Sequence, residues 1–291
     1  MKYKVDNAII MAAGTSSRFA PLSYEKPKAL IPVKGEVLIE RQICQLREAG
    51  VPKIIIVVGY KKEQFYYLEK KYGVKIVENK DYLTRNNNAS IYAVRDCLRN
   101  SYICSADNYF VRNPFESEVE DAYYAALYAD GRTEEWCMET DSNGYVNHVQ
   151  VGGENAWYML GHVFWNEAFT KKFLEILHAE YNLPETAGLL WEAIYMKHLD
   201  ELKLKVRHYE SDFIFEFDSL DELREFDGSY VHHTGSVILA ELAEKLDCSE
   251  SELTEIRAIK DTAGIEAIGF EFTYAGNRYE YNYKRKKWRK K

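Results

Sequence analysis

Ala8-Ile9-Ile10-Met11-Ala12-Ala13-Gly14-Thr15-Ser16-Ser17-Arg18 is an unbroken apolar run that passes directly into a loop of small residues ending in a cation. A run without polar alternation is what a strand covered on both faces requires. A small-residue loop at its carboxyl end lets backbone N–H groups approach a phosphate chain. Further along, Ile54-Ile55-Ile56-Val57-Val58 is a second such run, and residues 36–49 between the two place Ile39, Ile43 and Leu46 at helical spacing before Gly50 stops them. The alternation continues with a helix over 61–71, a strand over 74–77, a helix over 90–98 and a strand over 102–104. Strands separated by amphipathic helices in this order predict a doubly wound α/β sheet.

The middle of the chain changes character. Residues 123–128, 135–140, 145–151 and 158–165 read as aromatic-rich strands bounded by Gly and Asp turns, so the sheet is expected to be mixed. Helices are predicted over 167–180 and 187–199, then strands at 205–208 and around 213–215. A boundary is expected near Asp227-Gly228-Ser229, giving a main domain over 1–227 and a small α+β appendage over 228–291. The appendage reads as a helix over 237–246 and a hairpin of 267–274 with 278–283 around Ala275-Gly276-Asn277. So short a segment makes too small a core to stand alone. It is expected to lean on the main domain or on a second subunit, which would make it the route to a homo-oligomer.

A formal net charge of −8 argues against a general role on nucleic acid, whose phosphates call for clustered Lys and Arg. The basic run of residues 284–291 reads as a solvated terminus. Cys44, Cys97, Cys104, Cys137 and Cys248 are widely spaced, with no C-x-x-C pair, as expected of reduced thiols in a cytoplasmic protein. No secretory leader is expected, because the apolar run after Asn7 is short and ends in a glycine loop. No transmembrane segment is expected either.

The loop after the first strand is followed by Pro21-Leu22-Ser23 and Lys26-Pro27-Lys28-Ala29-Leu30, so Arg18 and Lys28 bring two cations to it. A bare glycine loop of this kind is equally compatible with a tight turn bearing surface cations. Asp107 directly follows the strand at 102–104, where open α/β sheets place ligands, although a turn aspartate has the same appearance. The run Asn86-Asn87-Asn88-Ala89-Ser90 precedes a helix and reads locally as its cap.

The full string MAAGTSSRFAPLSYEKPKALIPV is more specific. It resembles the signature of the nucleoside-triphosphate transferases that activate sugar phosphates and choline phosphate. Together with GYKKEQFYYLEKKYGV, NNNASIY, SYICSADNYF, TEEWCM, LLWEAIYMKHL and FEFDS, it makes residues 7–227 resemble the bacterial CTP:phosphocholine cytidylyltransferase family. That resemblance implies a Rossmann-like fold and a Mg²⁺-dependent reaction of CTP with phosphocholine, giving CDP-choline and pyrophosphate. It implies nucleotide contacts from Ala12, Ala13, Gly14, Thr15, Ser16, Ser17, Arg18, Lys28, Asn88 and Ser90, and Mg²⁺ held by Asp107 and Asp218, with Lys28, Arg18 and the two aspartates catalytic. It implies a choline pocket with Trp136, Trp191 and Tyr128 as walls and Glu216 and Glu192 as anions, since a quaternary ammonium offers no N–H donor and is recognised by ring faces and a carboxylate.

This sequence departs from the family pattern in carrying Ser16 where Gly is usual and Ser23 where Thr is usual. Phosphoethanolamine, an aminoalkylphosphonate or a sugar 1-phosphate would use the same loop and aspartates. A non-catalytic nucleotide- or choline-phosphate-binding regulator is the alternative outside enzymes. Residues 248–283 separately resemble the opening of a choline-kinase-type small lobe; with nothing downstream of it, no kinase activity is expected.

Overall fold

The computed structural model describes residues 2–262, 264 and 266–291. Two compact units emerge: the residues up to Gly14 with Glu40–Phe215, and Thr15–Ile39 with Glu216–Lys291. Asp227 and Gly228, at the expected boundary, therefore both lie inside the second unit, and the loop after the first strand joins it from Thr15 onward.

The first unit is a seven-stranded mixed sheet. Its strands are β1 (Asn7–Ala12), β2 (Ile54–Val58), β3 (Lys75–Glu78), β4 (Ser101–Ser105), β5 (Tyr123–Thr140), β6 (Val146–Trp165) and β7 (Lys205–His208). They lie in the order β7-β5-β6-β4-β1-β2-β3. β1 pairs in parallel with β2 on one side, Ala12 opposite Val58, and with β4 on the other, Met11 opposite Ser105. The chain winds from β1 through β2 to β3 and then crosses back to β4. The carboxyl ends of β1 and β4 thus form the switch point where open α/β sheets bind ligands.

Alternate residues explain why β1 and β2 are wholly apolar. Ile9, Ile55, Val57 and Ile103 enter one core with Phe169 and Phe173 of α4 (Glu167–Glu180) and with Trp191 and Tyr195 of α5 (Trp191–Lys197). Their neighbours Ile10, Ile56 and Cys104 are equally buried outside that cluster, so both sheet faces are covered. The other helices of this unit are α1 (Leu38–Glu48, whose first two residues fall in the second unit), α2 (Tyr67–Tyr72) and α3 (Asn88–Ala93).

The four aromatic strands expected in the middle are in fact two long ones, β5 and β6. Asp130-Gly131 and Gly152-Gly153, which resemble turns in sequence, are irregularities within a continuous ladder: register shifts fall between Ala129 and Arg132 and between Thr133 and Trp136, and Gly131 and Gly152 have φ of +90° and +79°. An extra residue beside a left-handed glycine kinks a strand without ending it. The helix predicted over 187–199 shortens to α5, preceded by a 3-10 turn at Pro184–Thr186.

In the second unit, α6 (Leu220–Phe226) and α7 (Val237–Leu246) precede a four-stranded antiparallel sheet of β8 (Thr254–Lys260), β9 (Ala267–Tyr274), β10 (Asn277–Asn282) and β11 (Lys287–Lys290) in sequential order. The expected helix and hairpin are both there, with Tyr274 opposite Asn277 at the turn. The basic terminal run is ordered as an edge strand, with Arg289 and Lys291 paired to Glu280 and Glu271. Ala263, within the turn of the kinase-like stretch, and Ile265 lie outside the described residues.

Candidate active site

In the first unit, the exit from β1 is held by its neighbours. Ala106 N donates to Met11 O (3.1 Å) and Tyr60 N donates to Ala13 O (3.1 Å). The second bond depends on Gly59, because a Cβ there would stand 2.8 Å from Ala13 O and 2.7 Å from the Tyr82 ring. The sequence signal was a glycine directly after the second buried strand, which the reading of residues 54–58 passed over. At Gly14 an added Cβ meets nothing within 4 Å, so the space beside that backbone is open.

Asp107 is half-buried in the turn that leaves β4. One face of α1 fixes this turn. Gln42 Nε2 donates to Ser105 O and to Asn108 O, each at 2.8 Å. Gln45 Nε2 and Arg41 Nε both donate to Phe110 O at 3.0 Å. Gln42 and Gln45 are buried polar residues, and their spacing along a helix gave no hint of this role.

In the second unit, Ser16 adopts a left-handed conformation (φ 47°, ψ 42°) and its carbonyl accepts from Phe19 N, closing the turn that presents Arg18. This is the position where the family pattern has Gly. A side chain there costs about 1 kcal/mol relative to glycine. Ser16→Gly should therefore raise the urea unfolding free energy by up to about 1 kcal/mol, or leave it unchanged if the chain entropy of glycine offsets the gain. A loss of stability would show that the hydroxyl, not the backbone, matters.

Arg18 Nη1 lies 2.7 Å from Asp218 Oδ2, and Lys28 Nζ lies 4.0 Å from Oδ1 of the same carboxylate. Lys28 is buried, 4% exposed, with its ammonium 5.6 Å from the Phe19 ring centroid. Arg18 is 70% exposed, so its ion pair is screened and weak, and its guanidinium remains accessible to an anion. Asp218 stands just before α6. Its N–H donates to Glu222 Oε2, while Glu222 N donates to the capping Ser219 Oγ. The structure thus brings Arg18, Lys28 and Asp218 together. Glu216 is exposed, two residues before Asp218.

The side chains of Asn88 and Ser90 are engaged within the protein. Asn88 is fully buried and its Nδ2 donates to Thr186 O and Leu189 O, while Ser90 Oγ accepts from Asn79 Nδ2. The asparagine run is a clasp: Asn86 Nδ2 donates to Gly188 O, and Asn87 bonds both Trp191 N and Glu192 Oε2. Nor does α3 use Asn87 as a side-chain cap.

Trp191 also departs from expectation. It has no exposed surface, with Tyr124 stacked at 5.8 Å and Trp165 edge-on at 5.1 Å, so its faces are already covered by core rings. Glu192 beside it accepts from Asn87 Nδ2 (3.1 Å) and Tyr124 OH (3.4 Å). Burial outweighs those bonds and raises its carboxyl to about 7. It is therefore only partly an anion at neutral pH. A folded-state pKa above the unfolded value favours the protonated native form, so stability should fall as pH rises from about 4.5 to 7, by on the order of 2 kcal/mol. Glu192→Gln should flatten that slope in pH-dependent denaturation; an unchanged slope would mean the carboxyl is not buried in solution.

Of the remaining expected walls, Trp136 is half-buried on β5 opposite Val151, and Tyr128 is 43% exposed. Tyr128 packs edge-on against Trp157 (5.3 Å), which stacks on His208 (3.8 Å). Trp157 was missed because it immediately precedes the predicted strand 158–165; its cross-strand pairing with Tyr128 makes them neighbours.

Residues 8–137 match the model of the MobA-like NTP transferase domain. The chain is 36% identical over 220 residues to the choline-phosphate cytidylyltransferase of Streptococcus pneumoniae, covering 76% of this chain and 96% of that one. The chain belongs to the bacterial choline-phosphate cytidylyltransferase family. The solved structure of CTP:phosphocholine cytidylyltransferase from Streptococcus pneumoniae superposes with a TM-score of 0.74 at 36% identity, over 78% of this chain and 99% of its own. The 2-aminoethylphosphonate cytidylyltransferase of Lancefieldella rimae is 38% identical over 230 residues, covering 78% of this chain and 94% of that protein. The protein is thus a nucleotidyltransferase of the cytidylyltransferase type with an α/β fold. Each of these three alignments covers about three quarters of this transferase. Among the described residues, no helix is long and apolar enough to cross a membrane.

Proposed function

We propose that the transferase condenses CTP with phosphocholine, forming CDP-choline and pyrophosphate. What supports this most is the Arg18–Lys28–Asp218 cluster on a strand-to-loop sequence of the cytidylyltransferase type, in a chain matching nearly the full length of the pneumococcal enzyme. In this reading, backbone groups of residues 12–17 and the two cations receive the triphosphate. Asp107 and Asp218 hold Mg²⁺, a hard cation that takes few carboxylates and fills its remaining positions with water and phosphate oxygens. The half-buried Asp107 and the half-exposed Asp218 are oxygen donors of the right chemistry. When bound, the metal would neutralise phosphate charge and help align the reacting groups.

The chain's own part is electrostatic and positional. A phosphomonoester is largely a dianion at neutral pH, its second pKa being near 6, so no general base is needed for its attack on the α-phosphorus. Lys28, held in place by burial, supplies fixed positive charge, and the exposed Arg18 can turn from Asp218 to an entering phosphate. Trp136, Tyr128 and Trp157 each keep accessible ring surface of the kind that a methylated ammonium needs, and Glu216 is an exposed carboxylate. We place the reaction in the cytoplasm, supported by five free thiols. The test is a pyrophosphate-release screen crossing ATP, CTP, GTP and UTP with phosphocholine, phosphoethanolamine, 2-aminoethylphosphonate and glucose 1-phosphate. Turnover is expected with CTP and phosphocholine. No release with any pair would favour a binding protein instead.

A further inference from the structure

We propose that the C-terminal segment after Asp227 is a positioning element for the nucleotide loop, acting through Glu25 and the Tyr24–Tyr283 stack. The short helix Leu22–Glu25 lies between Arg18 and Lys28 in the chain. From it, Glu25 caps α7: its Oε1 accepts from Ser236 Oγ (3.0 Å) and Ile238 N (2.9 Å), and its Oε2 accepts from Val237 N (3.0 Å). A carboxylate at a helix N-terminus satisfies orphan donors and faces the positive end of the dipole, so the bond set is stronger than neutral hydrogen bonds. The adjacent Tyr24 stacks on Tyr283, centroids 3.7 Å apart and planes within 7°. Beyond Lys28, Tyr230 OH donates to Pro32 O (2.5 Å) and Lys34 N donates to Asp227 Oδ2 (2.6 Å). The loop with both cations is therefore gripped on either side of Lys28.

These contacts flank a cavity of about 670 Å³ lined from the loop by Leu22 and Ile31 and from the tail by Tyr230 and Thr234. The loop's apolar residues Phe19, Leu22, Leu30 and Ile31 are buried, and the directional bonds at the cavity rim add orientation to that packing. The left-handed Ser16 is strain that such bracing can hold.

The inference rests on the proposal that Arg18 and Lys28 bind the triphosphate. It is tested in the full-length chain with Glu25→Ala, Tyr283→Ala and Tyr283→Phe, reading KM for CTP, KM for phosphocholine, kcat and amide exchange across residues 15–31. Glu25→Ala and Tyr283→Ala should each raise KM for CTP by about fivefold or more, the scale of losing a helix cap. The phosphocholine KM should stay the same, exchange in 15–31 should rise, and exchange in β1 and β2 should not. Tyr283→Phe keeps the ring stack and should behave as wild type. The exchange measurement needs no acceptor, so an error in the acceptor assignment leaves it readable. The proposal is overturned by an unchanged CTP KM with unchanged loop exchange. It is equally overturned if both KM values, kcat and exchange in β1 and β2 all shift together, the mark of general stability. Should Glu25→Ala fail to fold, the contrast between Tyr283→Ala and Tyr283→Phe decides alone.

Discussion

Asp107→Asn should lower kcat by at least about a hundredfold, the effect of removing one major electrostatic contact from the reacting phosphates. The substitution is nearly isosteric, and Gln42, Gln45 and Arg41 hold the turn through its backbone carbonyls. The fold should survive, with an unfolding midpoint close to wild type. If the carboxylate holds Mg²⁺, the variant should also need more metal to reach half-maximal rate, while an Asp107 that merely shapes its turn would leave the metal requirement unaltered. Wild-type turnover at saturating Mg²⁺ would remove Asp107 from the mechanism.

The second large effect concerns the acceptor. Phosphoethanolamine and 2-aminoethylphosphonate end in a primary ammonium with strongly hydrated N–H donors, which ring faces cannot satisfy and which must lose water to enter an aromatic site. A trimethylated ammonium loses less. One or two cation–π contacts at about 1 to 2 kcal/mol each correspond to a preference of roughly ten- to several-hundredfold in kcat/KM. Trp136→Ala should reduce that preference by about tenfold, mainly through KM for phosphocholine, leaving KM for CTP and the metal requirement alone. Trp191→Ala is the contrasting case. Because Trp191 is wholly buried between Tyr124 and Trp165, its loss should destabilise the protein by about 3 to 5 kcal/mol and act on catalysis only through the fold. A selective change in acceptor preference from Trp191→Ala, without loss of stability, would return it to the pocket.

How much of this was legible beforehand follows physical lines. Local signals transferred well: the apolar runs at β1 and β2 have to be two-faced strands, α4 and α7 span the residues predicted for them, and the Ala275-Gly276-Asn277 hairpin formed as expected. Breakers misled where glycines bent a strand instead of ending it, at Gly131 and Gly152. Among site residues, Arg18 and Lys28 converge on Asp218, Trp136 and Tyr128 keep accessible surface, and Glu192 is held by Asn87 and Tyr124. Asn88, Ser90 and Trp191 are equally suited to a ligand and to a core, and only long-range contacts such as Asn88 with Thr186 reveal which. The roles of Gln42, Gly59 and Glu25 depend wholly on partners distant in sequence, and composition or spacing has no access to those.

The most direct measurement is wild-type kcat/KM for phosphocholine against 2-aminoethylphosphonate, at saturating CTP and Mg²⁺, because relatives of about equal identity bear both names. Phosphocholine should be favoured by roughly ten- to several-hundredfold; equal rates would contradict the aromatic choline site, and a preference for 2-aminoethylphosphonate would in addition make this a phosphonate cytidylyltransferase.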